Sequence, residues 1–267
     1  MKILGSVVSL LEARTLIDLG IDIVDVKNPA EGSLGAQTPA VIGEISEFAN
    51  SRGVAVSVAL GDLVFQPGTA ALAAFGAAQF LVHLIKVGLH GVRCADEAEV
   101  MLSAAQSAVR SVNPTISVVA AGYADYRRFG GLAPGDLTRA ASRTKCDVVM
   151  LDTSIKDGAD LFAALSFEEL EQFVRSAREL GLQVAVAGSL SLEHLPLLSE
   201  LCPDIIGVRG ALCGDNARLR QIDPIGARRF LDAFRDLSNS SALSAGSESW
   251  PARSEGIHSR SSSLGGR

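Results

Sequence analysis

Strand-like and helix-like segments alternate along most of this chain, with a mean repeat of roughly 29 residues. Eight short apolar runs have the length of strands, at residues 3–8, 21–26, 54–60, 80–87, 116–121, 147–151, 183–187 and 205–208. Helical periodicity follows several of them, at residues 10–19, 39–51, 96–112, 167–180 and 192–200. This alternation is typical of parallel βα units, because parallel strands need a crossover connection. Eight units predict a single closed (β/α)8 barrel, the TIM barrel, since an open doubly wound sheet more often has about five to seven strands.

The alternation stops near residue 237, which predicts a catalytic barrel domain over residues 1–237. Residues 238–267 are rich in serine, glycine and scattered charge. Such a composition buries too little apolar surface to offset the entropy lost on ordering, so it predicts a disordered tail. No GxGxxG motif follows the first strand and no GxxxxGK[ST] motif occurs, so the common nucleotide-binding signals are absent.

Charge and cysteine spacing narrow the possible function classes. The net charge is −6 without a lysine or arginine cluster in the predicted barrel, so we expect no nucleic acid partner. Four widely spaced cysteines without a CxxC pair predict reduced thiols in a cytoplasmic protein. The histidines lack metal-ligand spacing, and we expect neither a metal nor a cofactor. The sequence shows neither a signal-peptide pattern nor an apolar run of about 20 residues, so no membrane association is expected.

Two charges interrupt the second apolar run, where a buried strand would normally exclude them. Asp25 and Lys27 are two residues apart, so they share one face of the strand, and Asn28-Pro29 ends it. Lys27 is therefore expected at the C-terminal end of a strand, where TIM barrels place their active sites. It can act as a nucleophile only as the free amine, which burial or a neighbouring ammonium group favours. The alternative is a lysine whose stem lies on apolar surface and whose charge pairs with Asp25.

Further polar residues follow other strand ends. Lys86 ends the fourth run, Asp125 follows the fifth, and Asp152 ends the sixth with Lys156 four residues beyond. Because the C-terminal ends of barrel strands meet at one rim, we expect these residues to gather around Lys27. One of the two strand-end lysines could then form a Schiff base with a carbonyl substrate while the other moves protons, and Asp152 could relay protons or orient a lysine. An inert network of salt bridges is the alternative.

Glycines follow the last two strands, where barrels frequently bind phosphate through backbone N–H groups. Gly188 and Ser189 follow the seventh run, Gly210 follows the eighth, and Arg209 offers a charged contact. We expect these residues to bind a phosphate group, with Asp125 as a further substrate contact; glycines that merely close tight turns are the alternative. Asp62, after the third run, could meet a substrate hydroxyl or cap a turn.

Six motifs lie in order along the predicted barrel. They are VDVKNPAEGSLGA at residues 24–36, IKVGLHGV at 85–92, VVAAGYAD at 118–125, MLDTSIKDG at 150–158, AGS at 187–189 and GVRGA at 207–211. Together they resemble the motifs of the (5-formylfuran-3-yl)methyl phosphate synthase family, the furan-forming enzymes of methanofuran biosynthesis. The resemblance extends over about residues 1–235, essentially the whole predicted fold.

The resemblance implies a lyase that condenses two molecules of glyceraldehyde 3-phosphate, releasing phosphate and water, to 4-(hydroxymethyl)-2-furancarboxaldehyde phosphate. It implies that Lys27 carries the Schiff base, that Lys86 accepts a proton, and that Asp152 and Lys156 are further members of the site. The enamine formed on Lys27 would attack the second aldehyde, with Asp25 beside it.

Two other functions stay open on the residues alone. The same lysine pair and phosphate loops would suit a class I aldolase-like or sugar-phosphate isomerase activity, and a barrel that binds a phosphate ligand without catalysis is the second alternative. In each case the expected partner is a small phosphorylated molecule, an aldehyde if the resemblance holds. We also expect a homo-oligomer.

Overall fold

Eight parallel strands close into a barrel in a computed structural model that describes residues 1–244. The strands are β1 (Lys2–Val7), β2 (Ile23–Val26), β3 (Ala55–Val64), β4 (Leu84–Gly91), β5 (Ser117–Tyr123), β6 (Val148–Asp152), β7 (Gln183–Val186) and β8 (Ile205–Val208). Each strand pairs with the next one along the chain, and β8 pairs with β1 to close the ring. The predicted (β/α)8 barrel is therefore confirmed.

Helices cover the outside of the ring. Among the described residues they are α1 (Leu10–Asp18), α2 (Pro39–Ser51), α3 (Pro67–Ala78), α4 (Ala95–Val112), α5 (Pro134–Arg143), α6 (Leu161–Ala164), α7 (Phe167–Glu179), α8 (Leu195–Leu201) and α9 (Pro224–Ser244). Helix starts coincide with capping residues, such as Ser9 at α1 and the capping box of Ser166 and Glu169 at α7. Within residues 1–244, no helix has both the length and the apolar character needed to span a membrane.

Apolar side chains pack on both sides of the strand ring. Val56 and Val118 belong to the large cluster between the strands and the helices. Leu4, Ile23 and Met150 belong to a second cluster that fills the interior of the barrel. The interior cluster forms a packed floor, because the inward-pointing side chains of the strands stack in layers along the barrel axis. Polar side chains at the C-terminal strand ends therefore stand on a rigid base.

Strands β3 and β4 extend beyond the rest of the rim and correct the predicted boundaries. β4 begins at Leu84, whereas the apolar run begins at residue 80, and it continues to Gly91. β3 reaches Val64, so Gly61-Asp62 lies within this strand pair and not in the expected loop. The extension depends on Gly91, because a Cβ at this position would lie 2.5 Å from the Cα of Val64.

Helix α3 and helix α9 also depart from the sequence prediction. The residues Pro67-Gly68-Thr69, expected to continue a loop, form the first turn of α3. This helix is rich in alanine, so it lacks the contrast between a polar and an apolar face on which periodicity depends. Helix α9 continues to Ser244, seven residues past the predicted barrel boundary at 237, and residues 245–267 of the predicted tail lie outside the described residues.

Candidate active site

A cavity of about 490 Å³ opens at the C-terminal ends of the strands. Every site residue predicted from the sequence lines it except Asp125. The lining residues among them are Asp25, Lys27, Lys86, Asp152, Lys156, Gly188, Ser189, Arg209 and Gly210. These polar residues therefore lie together at one rim, and their geometry indicates what each can do.

Lys86 and Asp25 form a buried ion pair across the barrel interior. The Lys86 side chain is 1% exposed, and its Nζ lies 2.7 Å from Oδ2 of Asp25. The hydroxyl of Ser6 donates to the same oxygen at 2.9 Å. The other oxygen, Oδ1, is buried and has no hydrogen-bond partner in the described part of the chain. A buried carboxylate oxygen without a partner is unfavourable, which marks Asp25 as an unusual member of the cavity lining.

Lys27 follows β2 directly, and its amine lies apart from this pair. Its Nζ donates to the backbone oxygen of Ser33 at 3.1 Å and lies 3.9 Å from Oδ2 of Asp152. Burial lowers the pKa of Lys27 to about 8; attraction to Asp152 opposes this shift, and repulsion by the Lys86 ammonium adds to it. The sequence left open a pairing of Lys27 with Asp25, but Asp25 pairs with Lys86. Lys27 thus has a substantial uncharged fraction near neutral pH.

Asp152 ends β6 and holds two lysines in place. Its Oδ1 accepts from Nζ of Lys156 at 3.0 Å and from the backbone N–H of Thr153 at 2.7 Å. Burial alone would raise the pKa of Asp152, but the ammonium groups of Lys156 and Lys27 and these hydrogen bonds hold it at about 2. The group therefore remains a carboxylate at any pH near neutrality. Of the two roles expected for Asp152, orientation of a lysine fits this state better than proton relay.

Asp125 lies outside the cavity, and the structure corrects its expected role as a substrate contact. Its two carboxylate oxygens accept from the backbone N–H groups of Ser154 and Ile155, each at 2.8 Å. These residues immediately precede Lys156 in the loop after β6. Asp125 therefore shapes the loop that presents Lys156 to the cavity, as a carboxylate commonly does for exposed N–H groups of a turn.

Arg209 lines the cavity, but its donors are already occupied. Its guanidinium donates to both carboxylate oxygens of Glu12, at 2.9 Å and 3.4 Å. It also donates to three backbone oxygens, those of Ser6, Arg218 and Arg220. The five N–H bonds of an arginine are thus all used. This pair ties the start of α1 to the loop after β8, so the expected phosphate contact from Arg209 is corrected to a structural one.

Residues of the loops after β7 and β8 line the cavity. Gly188 has φ +118, and a Cβ there would lie 2.8 Å from Cγ2 of Thr153, so only glycine suits this turn. Ser189 follows with φ +49, a backbone conformation that is uncommon for a residue with a side chain. In the described residues, the N–H groups of Gly188, Ser189 and Gly210 have no acceptor. Such neighbouring N–H groups suit a phosphate oxygen.

A clamp of three side chains, Asp62, Tyr123 and Ser33, holds the loop after β2, and only Asp62 among them was selected from the sequence. Asp62 accepts from the backbone N–H groups of Ser33 at 2.7 Å and Leu34 at 3.1 Å. It also accepts from the hydroxyl of Tyr123, whose pKa burial and the Asp62 carboxylate raise well above its ordinary value. The hydroxyl of Ser33 donates to the backbone oxygen of Thr153 at 2.7 Å. Asp62 therefore anchors the loop whose Ser33 oxygen meets Lys27, which neither of its two expected roles described.

Arg218 also lines the cavity, although no pattern in the sequence predicted it. It lies in the loop after β8, and its Nη2 donates to the backbone oxygens of Pro29 and Gly32 in the loop after β2. No motif marks this arginine, because it stands beyond the GVRGA segment. Its position beyond the last strand of a barrel was the available signal.

We expect Lys27 to react with amine reagents faster than a surface lysine. With a pKa of about 8, roughly one Lys27 amine in ten is uncharged at pH 7, against about one in 2,500 for an ordinary lysine. Reductive methylation with formaldehyde, read by peptide mass spectrometry, should modify Lys27 at least about tenfold faster than the exposed Lys145. The rate should rise with pH and level off above about 8, because the amine has lost its proton there. A Lys27 rate that follows Lys145 at every pH would contradict the lowered pKa.

Comparison with known proteins gives consistent matches over the barrel. A family model described as 4-HFC-P synthase matches residues 3–230. A protein of Archaeoglobus fulgidus named (5-formylfuran-3-yl)methyl phosphate synthase is 49% identical over 220 residues, which cover 82% of this chain and 94% of that protein. A protein of Methanosarcina barkeri with the same name is 46% identical over 214 residues, covering 80% and 91%. The crystal structure of phosphoribosyl anthranilate isomerase from Thermus thermophilus matches with a TM-score of 0.59 at 15% identity, covering 89% of this chain and 100% of that one, which shows a shared fold alone.

Proposed function

This chain belongs to the 4-HFC-P synthase family, and from that premise we propose that it condenses two molecules of glyceraldehyde 3-phosphate to 4-(hydroxymethyl)-2-furancarboxaldehyde phosphate. The enzyme would be a carbon–oxygen lyase of methanofuran biosynthesis. The main supporting observation is the buried amine of Lys27, with a pKa of about 8, in one cavity with Lys86 and the phosphate loops. Atoms balance for the loss of one phosphate and two water molecules per furan.

The proposed reaction starts at Lys27. Its uncharged amine adds to the aldehyde carbon of one substrate molecule, and loss of water leaves a protonated imine. The imine acidifies the neighbouring C–H bond, and removal of that proton gives an enamine. In the proposed step, Lys86 first passes a proton to Asp25, its hydrogen-bond partner, and the resulting neutral amine takes the C–H proton, because it lines the same cavity.

The second substrate molecule supplies the electrophile. Loss of the proton from its C2 and of phosphate from its C3 leaves 2-hydroxypropenal. The enamine attacks the terminal carbon of this molecule and not its aldehyde, because the aldehyde survives as the formyl group of the product. The C2 hydroxyl then closes onto the imine carbon, and departure of the Lys27 amine and a second water gives the aromatic furan. This path replaces the expected attack on the second aldehyde.

The two phosphates need separate anion sites. The N–H groups of Gly188, Ser189 and Gly210, which have no acceptor in the described residues, suit one of them. Lys156 lies in the loop after β6, and its ammonium group donates to Asp152 and to the hydroxyl of Thr153. Movement of this ammonium group toward a second phosphate would not leave Asp152 unpaired. Asp152 keeps the contact with Lys27 in that case.

Product analysis tests the proposed reaction. The purified protein, incubated with glyceraldehyde 3-phosphate alone, is expected to release one inorganic phosphate for each furan formed, and the conjugated furan aldehyde absorbs in the near ultraviolet. Substitution Lys145→Ala, of an exposed lysine, serves as the matched control and should leave both signals unchanged. A sugar bisphosphate formed without phosphate release would instead indicate an aldolase, and interconversion of triose phosphates an isomerase. Either result would contradict the furan-forming reaction.

A further inference from the structure

We propose that Arg218 binds a phosphate group of the substrate, a role that the sequence suggested for Arg209. This inference rests on the proposed function for the identity of the substrate. The ligand class is a phosphate monoester of a small aldehyde. The support comes from the charges around the cavity, from the donors of the two arginines and from the loop that Arg218 contacts.

The charges around the cavity single out Arg218. Five cationic side chains line it, and four of them lie within ion-pair distance of a carboxylate. Lys86 pairs with Asp25, Lys27 and Lys156 with Asp152, and Arg209 with Glu12. In the described residues, Arg218 has no carboxylate within this distance. Among residues 1–244, Arg218 is therefore the one cationic side chain of the cavity lining that lies outside ion-pair distance of a carboxylate. A dianionic phosphate can pair with this charge.

The donors of the two arginines lead to the same assignment. All five N–H bonds of Arg209 are occupied by protein acceptors. Arg218 uses only its Nη2, which donates to the backbone oxygens of Pro29 and Gly32. Within the described chain, its Nε and Nη1 have no acceptor. Because Arg218 is half-buried and lines the cavity, these unused N–H bonds can donate to a phosphate oxygen there.

The contacts of Arg218 also join the phosphate to the reactive amine. Gly32 directly precedes Ser33, whose backbone oxygen accepts from Nζ of Lys27. Arg218 thus holds the loop that positions Lys27, and its Nε and Nη1 keep N–H bonds without an acceptor in the described residues. A phosphate bound by Arg218 would be fixed relative to the aldehyde carbon that Lys27 attacks, which favours phosphorylated aldehydes over unphosphorylated ones.

Comparison of a phosphorylated and an unphosphorylated aldehyde tests this role. Borohydride trapping of the Lys27 adduct is measured at increasing glyceraldehyde 3-phosphate and, separately, at increasing glyceraldehyde. For Arg218→Gln we expect the half-saturating concentration of glyceraldehyde 3-phosphate to rise at least about tenfold, because a charge-assisted hydrogen bond is lost. The value for glyceraldehyde should stay within about twofold of the wild type. Arg218→Lys, which keeps a positive charge, should recover part of the loss.

The control variant changes Arg220, which lies in the same loop as Arg218. Arg220→Gln removes an exposed arginine that pairs with Asp215 and should change neither value. Equal losses with both aldehydes would mean that Arg218 acts only by holding the loop, and no loss would mean that it does not meet the phosphate; either result overturns the inference. If the wild type forms no adduct at all, the Schiff-base chemistry fails separately. Calorimetric binding of inorganic phosphate then decides, and equal affinity in wild type and Arg218→Gln would overturn the role of Arg218.

Discussion

Substitution Lys27→Ala is expected to abolish furan formation, with turnover reduced by at least about 10⁴-fold, and to remove the borohydride-trapped adduct. The expectation follows from the burial that brings the pKa of Lys27 to about 8 within the cavity. The fold should persist, since Asp152 keeps Lys156 as a partner. Mass spectrometry of the trapped protein and phosphate release together measure both effects.

Lys27→Met provides a sharper comparison, because it fills nearly the same volume without the amine. It should match Lys27→Ala in activity while keeping the thermal stability of the wild type or exceeding it, as a buried cation is removed. Continued turnover in either variant, or an adduct mapped to another lysine, would refute the assignment of the Schiff base to Lys27.

Substitution Lys86→Met is expected to leave the Lys27 adduct in place while turnover falls by about 10²- to 10⁴-fold. Lys86 is not the nucleophile in the proposed path, but its exchange of a proton with the bound imine and enamine is required for each later step. Removal of its positive charge also raises the pKa of Lys27, because repulsion between the two ammonium groups helps to lower it. The pH at which Lys27 labelling levels off should therefore move upward.

The buried partner of Lys86 calls for its own control. Lys86→Met leaves the carboxylate of Asp25 buried without a cation, which costs about 3–5 kcal/mol in comparable pairs. The double variant Asp25→Asn/Lys86→Met removes both charges and should recover most of the lost stability, measured by denaturant unfolding, without recovering turnover. Turnover at the wild-type level in the stable double variant would rule out a role of this pair in proton transfer.

The fold was predictable because barrel strands are short and continuous in sequence. Strands β2 and β8 could be predicted from a short apolar run followed by a turn. Because strands alternate with helices, few topologies were then possible. Strand β4 was placed too early because residues 80–83 are as apolar as the strand itself, and only the pairing partners decide where a ladder begins. Helix α3 escaped notice because alanine covers its surface as well as its buried face.

The site was predictable in position and less so in detail. Lys27, Lys86 and Asp152 could be placed together because each was expected at a strand end, and strand ends meet at one rim. The structure extends β4 past Lys86 to Gly91, and Lys86 still lines the cavity. The partner of Arg209 could not be foreseen, because Glu12 lies 197 residues away in the sequence and its contact depends on the closed ring. The contacts of Asp125 could not be foreseen for the same reason, because the N–H groups that it binds belong to a loop that begins 29 residues further along the sequence.

Closure of the ring by β8 has a consequence for the protein while it is being made. A nascent chain that ends before β8 contains Lys27, but it lacks the last strand and both arginines of the loop that follows. In such a chain we expect the amine to be hydrated and protonated like that of an exposed lysine, so that it reacts with aldehydes only slowly. We therefore expect the raised reactivity of Lys27 to appear only after β8 has closed the ring.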